Sequence, residues 1–318
     1  MTDLEQHLLA IIQDAFPLEK RPYQVLADQL GSDEQSVFAA VEGLRKSGII
    51  RRIGGIYDSM ALGFISRLCA GKVPTVVTGA ADDNALEKFA AAVNEIPAIT
   101  HNYVRSHEYN VWFTVIAQSE EEIQKIVDDV CAKTELHDVH VLSATKKYKI
   151  NTVMGGVVRR ALQPCKIPAR ILSDSDRTRI HIACDDIPHS LTPFKDWGVS
   201  CEELREDLAL KRMRRFGAIL RHQEAGFAFN AMVCLAELDK SPNNSAGAIL
   251  AQKPFISHCY DRPAFEGFPY TLYAMMHAQS ADELDRNIKE AAESIGNPDY
   301  VVLHSVRELK KTSYRFFA

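Results

Sequence analysis

The sequence predicts an α+β protein built by tandem duplication, each half a winged helix-turn-helix followed by a ferredoxin-like βαββαβ domain. Ile50-Arg51-Arg52-Ile53-Gly54-Gly55-Ile56, with Ala61-Leu62-Gly63-Phe64 behind it, returns as Met213-Arg214-Arg215-Phe216-Gly217-Ala218-Ile219 and Glu224-Ala225-Gly226-Phe227. His101-Asn102-Tyr103-Val104-Arg105 returns as His258-Cys259-Tyr260-Asp261-Arg262, so each half carries a His-x-Tyr-x-Arg strand. The order of the two signals is kept, and the two copies of each lie much farther apart than the roughly 20–50 residues of solenoid and propeller repeats. Two copies of one domain pair account for this.

In the first half, Leu4, Leu8, Leu9, Ile11, Ile12 and Phe16 recur at helical spacing over 3–16, and Pro17 and Pro22 break the period beyond it. Residues 23–30 read as a short amphipathic helix. Gly31-Ser32 reads as turn and N-cap, and 33–47 as a third helix closed by Gly48. Alternating β-branched and basic residues over 49–57 suit the hairpin of a small wing. From 63 the pattern becomes strand 63–74, helix 83–95, strand 98–105, strand 109–117, helix 119–134 and strand 138–145.

The stretch 151–168, with Gly155-Gly156, Arg159-Arg160 and two prolines, holds no period and reads as a linker. Helices are expected at 173–185 and 201–212, an irregular stretch at 187–198, and a second wing at 214–222. Strand 226–238, helix 245–252, strands 255–262 and 269–278, helix 281–295 and strand 299–307 repeat the sandwich. The expected domains are therefore 1–62, 63–150, a degenerate winged helix at 169–225, and 226–318.

Composition narrows the function classes. With 46% apolar and 25% charged residues in 318, the chain is ordinary globular protein, long enough for two cores. A net charge of −5 gives no general attraction to nucleic acid. The seven cysteines, at 69, 131, 165, 184, 201, 234 and 259, show no Cys-x-x-Cys pair and no zinc spacing. They read as reduced thiols of a cytoplasmic protein, and no leader or apolar run of about 18 residues suggests export or a membrane span.

The join Gly-Ile-Ile-Arg-Arg-Ile-Gly-Gly-Ile-Tyr-Asp at 48–58, between winged helix and sandwich, resembles the Lrp/AsnC family of transcription regulators. A tighter resemblance is to the siroheme decarboxylases, enzymes on that regulator fold whose two related subunits are similar to the two halves here. It is carried by 101–114 (His-Asn-Tyr-Val-Arg-Ser-His-Glu-Tyr-Asn-Val-Trp-Phe-Thr) and by Ser257-His258-Cys259-Tyr260-Asp261-Arg262-Pro263. Phe268-Pro269-Tyr270-Thr271-Leu272-Tyr273 and the closing segment 303–311 add to it. The resemblance implies non-oxidative loss of carbon dioxide from two acetate side chains of siroheme, leaving methyl groups, on a route to haem or a related cofactor. One departure is the second winged helix, whose turn region is longer and irregular.

Strand parity puts Ile99, His101, Tyr103 and Arg105 on one sheet face, and likewise Ile256, His258, Tyr260 and Arg262. A cavity between the halves would explain both polar stripes and would suit an iron tetrapyrrole bearing many carboxylates. Arg105, Arg262, Arg307, Lys310, Lys146 and Lys149 are the candidate carboxylate anchors. Trp112, Phe268, Tyr270 and Tyr273 are candidates to cover the ring faces. Decarboxylation needs a proton at the new carbanion, so His101 and His258 are the candidate acids or axial iron ligands, Tyr103 and Tyr260 neighbouring donors, and His107 or His277 auxiliaries. The two histidines should differ in importance, with the second half favoured by its greater aromatic and basic content. His137, His140 and His304 are further pocket candidates without zinc spacing. No cofactor beyond the substrate iron is expected, because the metallated ring is itself an electron sink.

A regulator that binds DNA and senses a small ligand is the competing reading, and a haem-responsive sensor a third. Against DNA binding, the segment 33–42 opens with two carboxylates and has no Lys or Arg before Arg45; 201–207 is acidic at its start as well. Arg51-Arg52 and Arg214-Arg215 read as solvated surface. The fusion supplies an internal pseudo-dimer and leaves a homodimer open.

Overall fold

The computed structural model describes residues 1–74, 83–150, 172–221, 229–236 and 245–318. The expected linker and the repeated Glu224–Phe227 segment lie outside the described residues. The first half runs α1 (Asp3–Ile12), α2 (Pro22–Leu30), α3 (Glu34–Lys46), β1 (Ile50–Tyr57), β2 (Ile65–Gly71), α4 (Asp83–Asn94), β3 (Ile99–Arg105), β4 (Val111–Ala117), α5 (Glu120–Thr134), β5 (Val139–Leu142) and β6 (Lys146–Ile150). The second runs α6 (Asp174–Ala183), α7 (Pro193–Trp197), α8 (Cys201–Ala209), β7 (Met213–Leu220), β8 (Phe229–Leu235), α9 (Ala246–Ala251), β9 (Ile256–Asp261), β10 (Leu272–Ala278), α10 (Ala281–Ser294) and β11 (Tyr300–Lys311).

Local chemistry sets the helix ends. Thr2 and Glu5 form a capping box on α1, Pro22 opens α2, Gly31 closes it at φ 63°, and Asp33 caps α3 by accepting from the Ser36 amide. The irregular stretch at 187–198 contains α7, so the second helical unit also has three helices.

The expected wings are not hairpins. β1 pairs antiparallel with β7, and Gly54 lies opposite Gly217 in this two-stranded ribbon. The repeated glycines are explained by what presses on them. A Cβ on Gly54 would sit 2.2 Å from the Asp185 carbonyl oxygen, and one on Gly217 would sit 2.5 Å from that of Ile12. The ends of α6 and α1 thus both bear on the ribbon, and both helical units share one core that includes Leu8, Ile12, Leu44, Ile53, Leu204 and Phe216.

The basic pairs, expected to be solvated, are partly buried. Arg52 donates to the Asp185 and Gly55 carbonyls, and Arg215 to those of Gln13 and Ala218, so each caps the C-terminal end of a helix of the opposite half. Burial lowers the pKa of both guanidinium groups to about 10. Across the same junction the Tyr57 hydroxyl donates to Asp207 Oδ2 at 3.0 Å, and Arg179 and Arg212 flank that fully buried carboxylate.

The two sandwiches form one nine-stranded sheet, β5-β2-β4-β3-β11-β8-β10-β9-β6. β11 pairs with β8 over its first part and with β3 over its second. The expected strand 138–145 shows the same exchange in reverse. β5 pairs within its own half, and three residues later β6 joins the edge of β9 in the other half. Helix-side cores lie under α4 and α5 and under α9 and α10. A fourth core, holding Tyr109, Trp112, Met232, Phe268, Tyr273 and Leu303, fills the space between the two sheet halves.

Candidate active site

His101, Tyr103 and Arg105 alternate with Val104, which belongs to the helix-side core, and His258 and Tyr260 alternate with Cys259, which does likewise. The stripes therefore face away from the helices. A bulge at residue 100 and another at residue 257 break the parity, so Ile99 and Ile256, expected on the same face, enter the helix-side cores instead.

The two constellations match closely. His101 stacks on Tyr103 with ring centroids 6.4 Å apart, and His258 on Tyr260 at 6.2 Å. Arg105 lies 5.3 Å over the Tyr103 ring and Arg262 5.1 Å over that of Tyr260. The Thr100 hydroxyl meets His101 Nδ1 at 2.9 Å, as the Ser257 hydroxyl meets His258 Nδ1 at 2.9 Å.

Several expected anchors turn elsewhere. Arg105 Nη1 donates to the Leu303 carbonyl at 3.1 Å, and Arg262 Nη1 to that of Leu142 at 2.7 Å. Each guanidinium staples the point where a strand passes to the other half, and stacks on its tyrosine. Lys149 Nζ donates to the Lys253 carbonyl at 2.6 Å, and Lys310 Nζ to those of Asn94 and Ile96 at 2.8 Å. Both cap helix ends, because strand bulges at these positions send the chains to the helix side. Arg307 pairs with Glu87 on α4, and Lys146 lies over the Tyr148 ring.

Trp112, Phe268 and Tyr273 are at most 2% exposed within the core between the sheets, so burial there takes them away from the role of open ring covers. Tyr270 reaches Asp299 at 3.4 Å. His107 sits at the turn after β3, its Nδ1 accepting from the Tyr109 amide and its ring edge-on to Phe268. His140 stacks on Phe265 and bonds Asp138 at 2.8 Å. His304 meets the Ser106 hydroxyl through its backbone amide.

Two further cations, outside the expected anchor set, also approach the stripes. Arg51 lies near Tyr103, and Arg214 near His258 and Tyr260. The Arg-Arg repeat carried this signal, since strand alternation sends its first arginine toward the stripe and its second to a helix end. Opposite Tyr103 in the sheet stands Glu308; opposite Tyr260 stands Lys147. Lys311 faces His101 where Ile150 faces His258. These partners come from the exchanged strands, which local periodicity does not reveal.

The polar groups around Tyr103 are satisfied from within the chain. Glu308 lies against the Tyr103 hydroxyl and raises its pKa, after burial, while Arg51 donates to the Lys311 carbonyl at 3.2 Å and to the Ser313 hydroxyl at 2.7 Å. Around Tyr260, Arg214 bonds the Tyr57 carbonyl at 3.2 Å and Lys147 lies beside Met60, with Asp58 nearby. His258 keeps partial exposure. Desolvation, followed by Arg214 and Lys149, holds its pKa down to about 4.

Comparison with known proteins agrees with this duplicated architecture. A model of the AsnC-like ligand binding domain matches residues 61–149 and again 224–310, and a siroheme decarboxylase NirDL-like HTH domain matches residues 5–51. A siroheme decarboxylase of Hydrogenobacter thermophilus is 33% identical over 98% of this chain and 94% of its own length. The alpha subunit of siroheme decarboxylase from Desulfovibrio desulfuricans is 45% identical over 47% of this chain and 82% of its own length. The crystal structure of the siroheme decarboxylase NirDL, also determined in complex with an iron-uroporphyrin III analogue, superposes with a TM-score of 0.70. It is 29% identical and covers 99% of this chain and 95% of its own. With half-for-half duplication, exchanged strands and whole-length similarity in agreement, the chain belongs to the siroheme decarboxylase family.

Proposed function

We infer that this chain is a siroheme decarboxylase, a carboxy-lyase that removes carbon dioxide from two acetate side chains of siroheme and leaves methyl groups. The observation that carries the reading is whole-length similarity to relatives of that activity, one of them solved with an iron tetrapyrrole analogue. The chemistry resides in the second pocket. Arg214 and Lys147 bind substrate carboxylates as charge-assisted partners, and Tyr260 donates to the substrate from its stacked position.

Loss of carbon dioxide leaves the bonding pair on the methylene carbon, where the macrocycle delocalises it until a proton arrives. His258 Nε2 supplies that proton. In the free protein the desolvated imidazole is neutral at physiological pH. Substrate carboxylates offset the positive charge of Arg214, so substrate binding itself promotes protonation of the acid. The substrate iron and ring serve as electron sink, and no further cofactor is invoked. His101 in the internally satisfied first pocket is left without a chemical role. The six described cysteines are thiols rather than disulfide partners, which is in keeping with a cytoplasmic site of action.

The regulator reading is disfavoured by α3. Its first-turn Glu34 is buried against Arg21, and Arg45, with a side chain 8% exposed, is held by Asp186 of the second half. The test is anaerobic incubation with siroheme followed by mass analysis of the tetrapyrrole. Successive loss of two carbon dioxide units is expected; siroheme bound but unchanged would replace the enzyme with a sensor.

A further inference from the structure

His277 lies on β10 beside β9, 9% exposed, and its Nε2 meets the Ser257 hydroxyl at 2.9 Å. That hydroxyl, itself on a buried residue, meets His258 Nδ1 at 2.9 Å and the Met275 carbonyl at 3.3 Å. The second half thus contains a His258–Ser257–His277 chain that leads from the pocket into the sheet. The first half has its hydroxyl but not its far end. His277 N donates to Phe255 O at 3.1 Å, and the matching bond in the first half, 2.9 Å to Ala98 O, comes from Ile116. Where the second half has imidazole, the first has a hydrocarbon side chain packed against the winged-helix core.

We propose that His277, acting through Ser257, is a positioning residue that holds His258 in its proton-donating form, and that this chain is what makes the second pocket rather than the first the acid site. The proposal rests on the decarboxylase reading above. In the acid form His258 Nδ1–H donates to the Ser257 oxygen, and the Ser257 hydroxyl donates to His277 Nε2. This order shares the imidazolium charge along the chain and leaves Nε2–H aimed at the pocket. When the carboxylate leaves as carbon dioxide, its bonding pair takes the Nε2 proton as a new C–H bond. His258 becomes neutral with Nδ1–H still on Ser257, and it recovers a proton from water. Thr100 can accept from His101 in the same way, but Ile116 offers its hydroxyl no acceptor.

Steady-state turnover of siroheme by the full chain tests this with two pairs of variants. Ser257→Ala and His277→Ile, the latter importing the first-half residue, should each lower kcat by about tenfold or more, with KM within about twofold. Ser257→Thr, which imports the first-half hydroxyl, and His277→Gln, which keeps an acceptor, should recover most of that loss. Wild-type kcat in His277→Ile, or equal loss in Ser257→Thr and Ser257→Ala, would overturn the proposal. Should His277→Ile fail to fold, the Ser257 pair decides alone. Absence of turnover in the wild type would instead remove the decarboxylase reading, so the two failures are separable.

Discussion

Tyr103 and Tyr260 occupy the same place in the two halves, yet Tyr103 faces Glu308 across the sheet and Tyr260 faces Lys147. Around Tyr103 the chain supplies its own carboxylate, and its C-terminal tail takes up Arg51 through Ser313. Around Tyr260 a cation takes the place of that carboxylate. Beneath the histidines, Ser257 leads to His277 in one half, and Ile116 stands in the corresponding place in the other. Duplication preserved the stacked histidine, tyrosine and arginine, which hold the strands together. It let the residues that stand across the sheet from them diverge.

The comparison breaks most readily at the histidines. His258→Ala should slow decarboxylation by two orders of magnitude or more, about the contribution of a positioned general acid. His101→Ala should cost less than about threefold; single-turnover assays by mass analysis of the tetrapyrrole read both. Equal losses would show two working pockets and remove the asymmetry.

Next in size, Lys147→Glu gives the second pocket the first pocket's charge. It should weaken binding of iron-uroporphyrin III by about 10–100-fold, as expected for loss of a charge-assisted pair. Glu308→Lys should leave the affinity of the second pocket unchanged. Absorbance titration supplies both numbers, and insensitivity to Lys147→Glu would sink its assignment.

A pH series sharpens the second-half side. His258 has a folded pKa of about 4 against an ordinary value of 6.5, so below pH 6.5 the unfolded chain takes up a proton that the folded chain refuses. Its contribution to stability is intact above pH 6.5 and is lost progressively as the pH falls toward 4. The loss is on the order of 1–3 kcal/mol once partial exposure is allowed for. Urea unfolding of His258→Gln should lose that part of the pH slope; an unchanged slope would argue that the imidazole is not desolvated.

The smallest effect concerns Lys149 and Lys310. Each mutated to Ala should cost about 0.5–1 kcal/mol of stability, equally in the two halves, with little change in turnover. A large loss of activity from Lys149→Ala alone would return it to the pocket.

Much of this was legible in the chain. The repeated Arg-Arg-x-Gly and His-x-Tyr-x-Arg signals marked the duplication, and hydrophobic period with capping residues placed nearly every described helix and strand. The repeat also pointed to the polar stripes on β3 and β9. It failed where side chains were assigned by parity across bulges: Lys149 and Lys310 moved to helix ends, and Ile99 and Ile256 into the helix-side cores. Trp112, Phe268 and Tyr273 had the composition of a ring-binding surface but became the filling between the sheets.

By itself, then, the sequence determined the fold, the duplication and the residue types on each polar stripe, because periodicity, caps and repeats act over neighbouring residues. Only the tertiary structure decided that β1 closes on β7, that β6 and β11 exchange halves, and hence that Lys147 and Glu308 face the two tyrosines. Those pairings join strands distant in sequence, and the free energy that selects them comes from burying two half-sheets against each other, which local periodicity does not encode.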